Sequence, residues 1–380
     1  MTQVNNVNVV VETPAAQDRL FFLDGLRGWA ALMVVLSHLL VFFVSHTSLT
    51  YQGWYWAFPT DGNLAVFIFF VLSGFALSIG YIQTSRMSLL TALCARRYLR
   101  LAIPILCASL FAYLLLAARL FYNIDAGKAI GNNWLTNFYG FAPDLYESLK
   151  FGLYDVFMSG DAARSYNPIL WTMPIELFGS FIVFAICALF LYLKKRLFFI
   201  AAILLYFVLS KNNYYLSFVA GMCIALCYHH REKAVFRKIH FALPLLLIGA
   251  VYYSSISLRG RGLAVPQIVR ADFLSILAAS AMVFAAAFYR PFRRFLENPV
   301  SRYLGSISFP IYLTHFIVIC TFSSGFLLYL RGTAQGYTET NVQMNVAASL
   351  LVCFVIAHLF RHVETLAIFV ARRFSEYMQK

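Results

Sequence analysis

Charge is what this sequence has least of. Only 12% of its 380 residues are Asp, Glu, Lys or Arg, against 61% hydrophobic residues and a mean hydropathy of +0.73. That is too little polar surface to cover a water-soluble globule of this size, so the chain reads as an integral membrane protein. Acidic residues are scarcer still, 16 against 30 basic ones, for a net charge of +14. The basic residues stand in short clusters between apolar runs and not on one soluble face. That pattern fits membrane orientation and argues against a nucleic-acid partner.

Several motifs are missing as well. No CxxC occurs, and the seven cysteines, Cys94, Cys107, Cys187, Cys223, Cys227, Cys320 and Cys353, lie mostly inside apolar spans. They read as small buried hydrophobes, not as a disulfide framework or a zinc site. There is no GxSxG elbow to make Ser37 or Ser73 a nucleophile. His358 and His362 have metal-ligand spacing, but without a full HExxH they read as a polar helix end, and no metal is expected. His229, His230 and His240 belong to a basic loop. The polar start, 1–20, has no basic residue ahead of Arg19 and so lacks the opening of a secretory signal. The first apolar run is expected to be a retained transmembrane helix behind a short tail.

What is abundant is apolar length. A span needs about 20 apolar residues, and ten candidates are found, at about 22–44, 62–82, 101–121, 170–193, 197–210, 214–229, 241–257, 271–289, 303–330 and 342–361. With both termini cytoplasmic, 19 Lys and Arg residues fall in inner segments and 8 in outer ones, as positive-inside orientation requires. The expected organisation is a polar tail at 1–20, an all-α transmembrane domain at 21–365 and a short basic cytoplasmic tail at 366–380. The long outer segment, about 122–169, is rich in aromatics such as Trp134, Phe138 and Tyr139 and is expected to form interfacial helices.

Ionisable groups inside such spans are expensive, which makes them candidates for function. In FLDGLRGWAALMVVLSHLL, Arg27 and His38 are eleven residues apart, which places them on one helix face and about 16 Å apart along the axis. Asp24 lies one turn before Arg27 and can pair with it. Each also has a plainer reading, Arg27 as a snorkelling anchor and His38 as a packing residue. Glu176 in WTMPIELFG and His315 in LGSISFPIYLTHF fall at a similar depth to His38, in the outer half of the core, where an acid/base cluster would meet an external substrate. Pro310 is expected to loosen its helix or simply to kink it. Ser73-Gly74 reads as a small pair that lets helices approach.

Five stretches together carry a family resemblance. LDGLRGWAALMVVLSH, FFVLSGFALS, RRYLRLAIP, WTMPIELF and LGSISFPIYLTH, in this order, resemble the signatures of the membrane acyltransferase-3 family, over about 20–365. The resemblance implies a ten-span O-acyltransferase of the bacterial inner membrane. Such an enzyme takes an acyl group, usually acetyl, from a cytoplasmic acyl-CoA and esterifies a hydroxyl of an envelope or exported glycan, a lipopolysaccharide or a lipid-linked sugar. It implies no permanently bound cofactor, and it makes Arg27 and His38 essential. Relatives often follow the Glu of the last span with Pro, whereas HVETLAIF has Thr365 and Leu366, so Glu364 receives no role.

On this reading Arg27, Arg96, Arg97 and Arg100 meet the phosphates of acyl-CoA, although positive-inside anchoring explains 96–100 equally well. His38 acts as general base or as a transient acyl-histidine, with Glu176 or His315 orienting it or relaying the proton. Asp24, Ser73 and Trp171 are supporting residues. The competing class is a proton-coupled secondary transporter that uses the same buried groups without covalent chemistry.

Overall fold

The structure, a computed structural model, describes residues 20–48, 58–158, 165–190, 192–193, 196–231, 249, 271–333 and 336–379. The candidate span at 241–257, apart from residue 249, and the tail ahead of residue 20 lie outside the described residues. Among the described residues every regular element is a helix, in keeping with the all-α expectation.

The first three helices are α1 (Phe21–Phe43), α2 (Gly62–Thr84) and α3 (Met87–Ala117). Asp61 caps α2, its carboxylate accepting from the Leu64 N–H at 2.9 Å and so satisfying one of the free donors at a helix start. The long segment after α3 folds as α4 (Asn123–Ile130), α5 (Asn133–Thr136) and α6 (Leu145–Lys150), with a π-helical turn at Phe151–Asp155. Then come α7 (Pro168–Leu189), α8 (Arg196–Leu209) and α9 (Asn213–His229). Last are α10 (Ala271–Phe288), α11 (Arg290–Leu296), α12 (Pro299–Arg331) and α13 (Glu339–Met378).

Among the described residues six helices, α1, α2, α3, α7, α12 and α13, are long and apolar enough to cross a membrane, or seven if the pair α10 and α11, bent by 94°, is one span. At 14 and 17 residues, α8 and α9 reach about 21 and 26 Å, short of a core of about 30 Å. The third span departs most from expectation. It begins at Met87, so Arg96, Arg97 and Arg100 stand inside a helix and not in a connection. The reason is that a helix does not stop where apolarity does. The stretch MSLLTALCARRYLR has no breaker, and its polar turns pack along α13, where Ser375 reaches the Ala92 carbonyl and Gln379 that of Ser88.

The packing of α1 on α12 decides the site. A Cβ on Gly28 would lie 2.4 Å from the Gly305 nitrogen and one on Gly305 would lie 2.5 Å from the Asp24 carbonyl oxygen, while one on Gly25 would lie 2.0 Å from the carbonyl oxygen of Leu296 at the end of α11. Only glycine lets these backbones come so close, and Trp29 locks the crossing by donating to Ser301 Oγ at 2.9 Å. Gly74 and Gly221 do the same for α2 on α9, where a Cβ would meet the carbonyls of Phe218 and Val71, in keeping with the packing reading of Ser73-Gly74. Gly28→Ala is expected to destabilise the protein by about 1–3 kcal/mol through overpacking, read as a lower unfolding midpoint in detergent.

Candidate active site

The α1–α12 crossing carries two histidines to each other. His38 Nδ1 lies 3.0 Å from His315 Nε2, and His315 Nδ1 lies 2.9 Å from the Ile311 carbonyl oxygen. A carbonyl only accepts, so His315 Nδ1 carries the proton. With both rings neutral, its Nε2 then accepts and His38 Nδ1 donates. The tautomer of the pair is thus set from the backbone of α12 outward, with the Val34 carbonyl also within hydrogen-bonding reach of the His38 ring; on this tautomer Nε2 is the acceptor nitrogen of His38. His315 is fully buried, whereas His38 keeps partial exposure. His38 lies inside a π-turn, Ser37–Phe43 of α1, and a second π-turn follows His315 at Ile319–Ser323 of α12. Such insertions are frequent at functional sites.

A cavity lies one step away from this pair: neither histidine lines it, and Tyr312, whose ring is 6.2 Å from that of His315, is the lining residue that adjoins them. Its wall includes Arg27 of α1, Ser73 of α2, Arg97 and Arg100 of α3, Glu176 of α7 and Tyr312 of α12. Glu176 pairs with Arg97, and the same carboxylate oxygen accepts from Ser73 Oγ at 2.6 Å. Arg97 Nε donates to Ser180 Oγ at 2.8 Å. Glu176 is thus bound to Arg97 and Ser73, not to either histidine, and the expected three-membered acid/base cluster divides in two. The cause is the early start of α3, which lifts Arg97 to the level of the carboxylate.

The remaining candidates separate clearly. Arg27 lines the cavity, with Asp24 at 3.9 Å on the same helix. Arg96 lies near Arg372 of α13, away from the lining. Trp171 is 52% exposed and sets its ring edge-on to Tyr214, while its neighbour Thr172 faces the cavity.

Four residues were missed by the sequence reading. Tyr312 joins the cavity to the histidines, its hydroxyl donating to the Ile169 carbonyl at 2.6 Å and meeting Thr172 Oγ1 at 2.7 Å, with its ring 6.2 Å from that of His315. Its place one turn before His315 is the signal that was available. Glu364, given no role, lines the cavity close enough to Arg100 for their charges to interact. Ser180 lies one turn after Glu176. Trp134 stacks on His38, with ring centroids 5.9 Å apart and planes 11° from parallel, and nothing local in the sequence announces it.

The five stretches singled out earlier therefore converge, His38 on His315, Ser73 and Arg97 on Glu176, and Thr172 on Tyr312. Among known proteins, the family model described as an acyltransferase domain matches residues 20–361. No curated protein and no solved structure matches the chain.

Proposed function

We propose, from the premise that the chain belongs to this acyltransferase family, that it moves an acyl group, acetyl in the first instance, from cytoplasmic acyl-CoA to a hydroxyl of an envelope glycan or lipid-linked sugar. The place of action is the bacterial inner membrane, with both termini inside. The transporter alternative is set aside on family membership.

The observation that carries the reading is the His38–His315 contact, linked through Tyr312 to a cavity walled by three arginines. Guanidinium forks suit phosphate oxygens, and a partly dry cavity strengthens the contact. Of the three, Arg97 is committed to Glu176 and Ser180, so Arg27 and Arg100 are the donor-binding pair and Arg97 holds the wall. The thioester arm runs past Tyr312 to His38. There Nε2 takes the proton of the acceptor hydroxyl as its oxygen attacks the thioester carbonyl, and delivers it to the departing thiolate. His315 serves this step through Nδ1 of His38, holding the tautomer and stabilising the transient imidazolium, the task an orienting partner performs for any general-base histidine.

The test is mass spectrometry of envelope glycans and glycolipids from cells with and without the gene. A base-labile acyl group present only with the gene supports the reading, and identical profiles reject the glycan acceptor. For the donor, Arg100→Ala is expected to raise KM for acetyl-CoA by about tenfold with little change in kcat, the loss of one charge-assisted contact made alike in ground and transition states. An unchanged KM removes Arg100 from the donor site.

A further inference from the structure

We propose that Trp134 is a positioning residue, a roof over His38 that reserves the thioester for the acceptor hydroxyl by keeping water away. The proposal rests on the acyl-CoA reading above.

Alone, α5 is four residues long, far below the length at which a helix is stable in isolation. It is held from outside by buried asparagines. Asn132 is fully buried; its Oδ1 accepts from the Leu135 N–H at 3.2 Å and its Nδ2 donates to the Phe42 carbonyl at 2.6 Å. Asn123, 1% exposed, donates through Nδ2 to the carbonyls of Leu135 at 2.9 Å and Phe138 at 2.8 Å. The Tyr122 N–H donates to the Cys320 carbonyl at 3.0 Å. Phe42 and Cys320 belong to the two π-turns, the one that contains His38 and the one that follows His315. The segment is therefore bonded to both helices of the catalytic pair, at the turns where each departs from α-helical geometry.

This anchoring sets the indole of Trp134 nearly parallel to the imidazole of His38. Phe316 and Phe138 meet Trp134 edge-on at 5.5 and 5.3 Å, and Phe42 lies 4.9 Å from it. Deeper in the same segment, burial holds the Tyr139 hydroxyl well above its ordinary pKa, so it stays a donor and ties to the Tyr166 carbonyl at 3.1 Å. His38 keeps partial exposure, and on this proposal the acceptor approaches there.

The need for a roof follows from the chemistry. In transfer, the acceptor oxygen forms the new C–O bond, the C–S bond breaks, and His38 carries the hydroxyl proton to the sulfur. Water in the acceptor's place undergoes the same step and gives free carboxylic acid and thiol. Since His38 activates either, exclusion of water favours the acceptor beyond what its own binding and orientation supply.

The experiment uses the full chain in lipid nanodiscs, as wild type, Trp134→Ala, Trp134→Phe, Trp134→Leu and His38→Ala, with acetyl-CoA and with water as the only acceptor. Two rates are read, release of free CoA thiol and carbethoxylation of His38 by diethyl pyrocarbonate, located by peptide mass spectrometry. Trp134→Ala is expected to raise both by about tenfold, Leu by less, and Phe to leave both near wild type. His38→Ala removes the thiol release. The leucine and phenylalanine variants keep the comparison open if alanine compromises folding. If carbethoxylation and thiol release stay within about twofold of wild type in Trp134→Ala while thiol release still depends on His38, the roof is overturned and the acyl-CoA reading stands. If carbethoxylation accelerates but no variant releases thiol, the water-excluding role falls together with that reading.

Discussion

His38→Ala is expected to lower acyl transfer by about a thousandfold, within the range that a positioned general base contributes, while the protein still inserts and folds. The half-buried ring stands at a π-turn, and the α1–α12 seam is held by glycines and by Trp29, not by the histidine pair. A graded series around the partner tests the mechanism itself. His315→Ala removes the acceptor for His38 Nδ1 and frees the tautomer, whereas in His315→Gln the amide oxygen can accept from Nδ1–H and the amide nitrogen can donate to Ile311. The expected order of activity is wild type, then His315→Gln, then His315→Ala, with His38→Ala lowest. The readout is the base-labile ester mass in envelope glycans at matched protein level. An ester retained in His38→Ala removes this residue from the chemistry. Equal activity in the glutamine and alanine variants of His315 removes the tautomer argument.

Arg97→Ala is expected to have the largest effect on stability, a loss of about 3–5 kcal/mol, because it strands a carboxylate away from water. The side chains of Arg97 and Glu176 are 10% and 13% exposed, at a level of the fold where an unpaired charge has little solvent to turn to. Glu176→Ala strands the guanidinium in the same way, though Ser180 remains to Arg97. Glu176→Gln keeps an oxygen for both Ser73 and Arg97 and is expected to be milder. The decisive comparison is the double variant, Arg97→Ala with Glu176→Ala, whose loss should fall well short of the sum of the singles. Thermal unfolding in detergent checks this. Strict additivity would mean that the two residues act independently despite their contact.

Much of this was legible beforehand, for reasons that differ from residue to residue. Apolar length marked α1, α2 and α12 closely, because the bilayer sets both the length and the composition of a span. It misjudged the start of α3, since helix propensity continues through Arg97 and Arg100 where apolarity has ended. Arg27 and His38 were found because an ionisable group in an apolar run is conspicuous. That His315 meets His38 and Glu176 meets Arg97 depends on which helices cross and at what height, and no local pattern encodes it. Glu364 is the clearest case. Its own surroundings in the chain show only a missing proline, and its relation to Arg100 exists because α13 continues as a 40-residue helix along the polar turns of α3.

The contact between His38 and His315 spans 277 positions of the chain, and this separation orders events in time as well as in space. During synthesis, α1 leaves the ribosome with a histidine whose tautomer nothing yet selects, and the acceptor that selects it arrives only with the last two helices. Arg100 likewise waits for Glu364. A truncated or half-inserted chain therefore holds neither the His38–His315 contact nor the Arg100–Glu364 one. The histidine pair is complete only once nearly all of the described helices are in place.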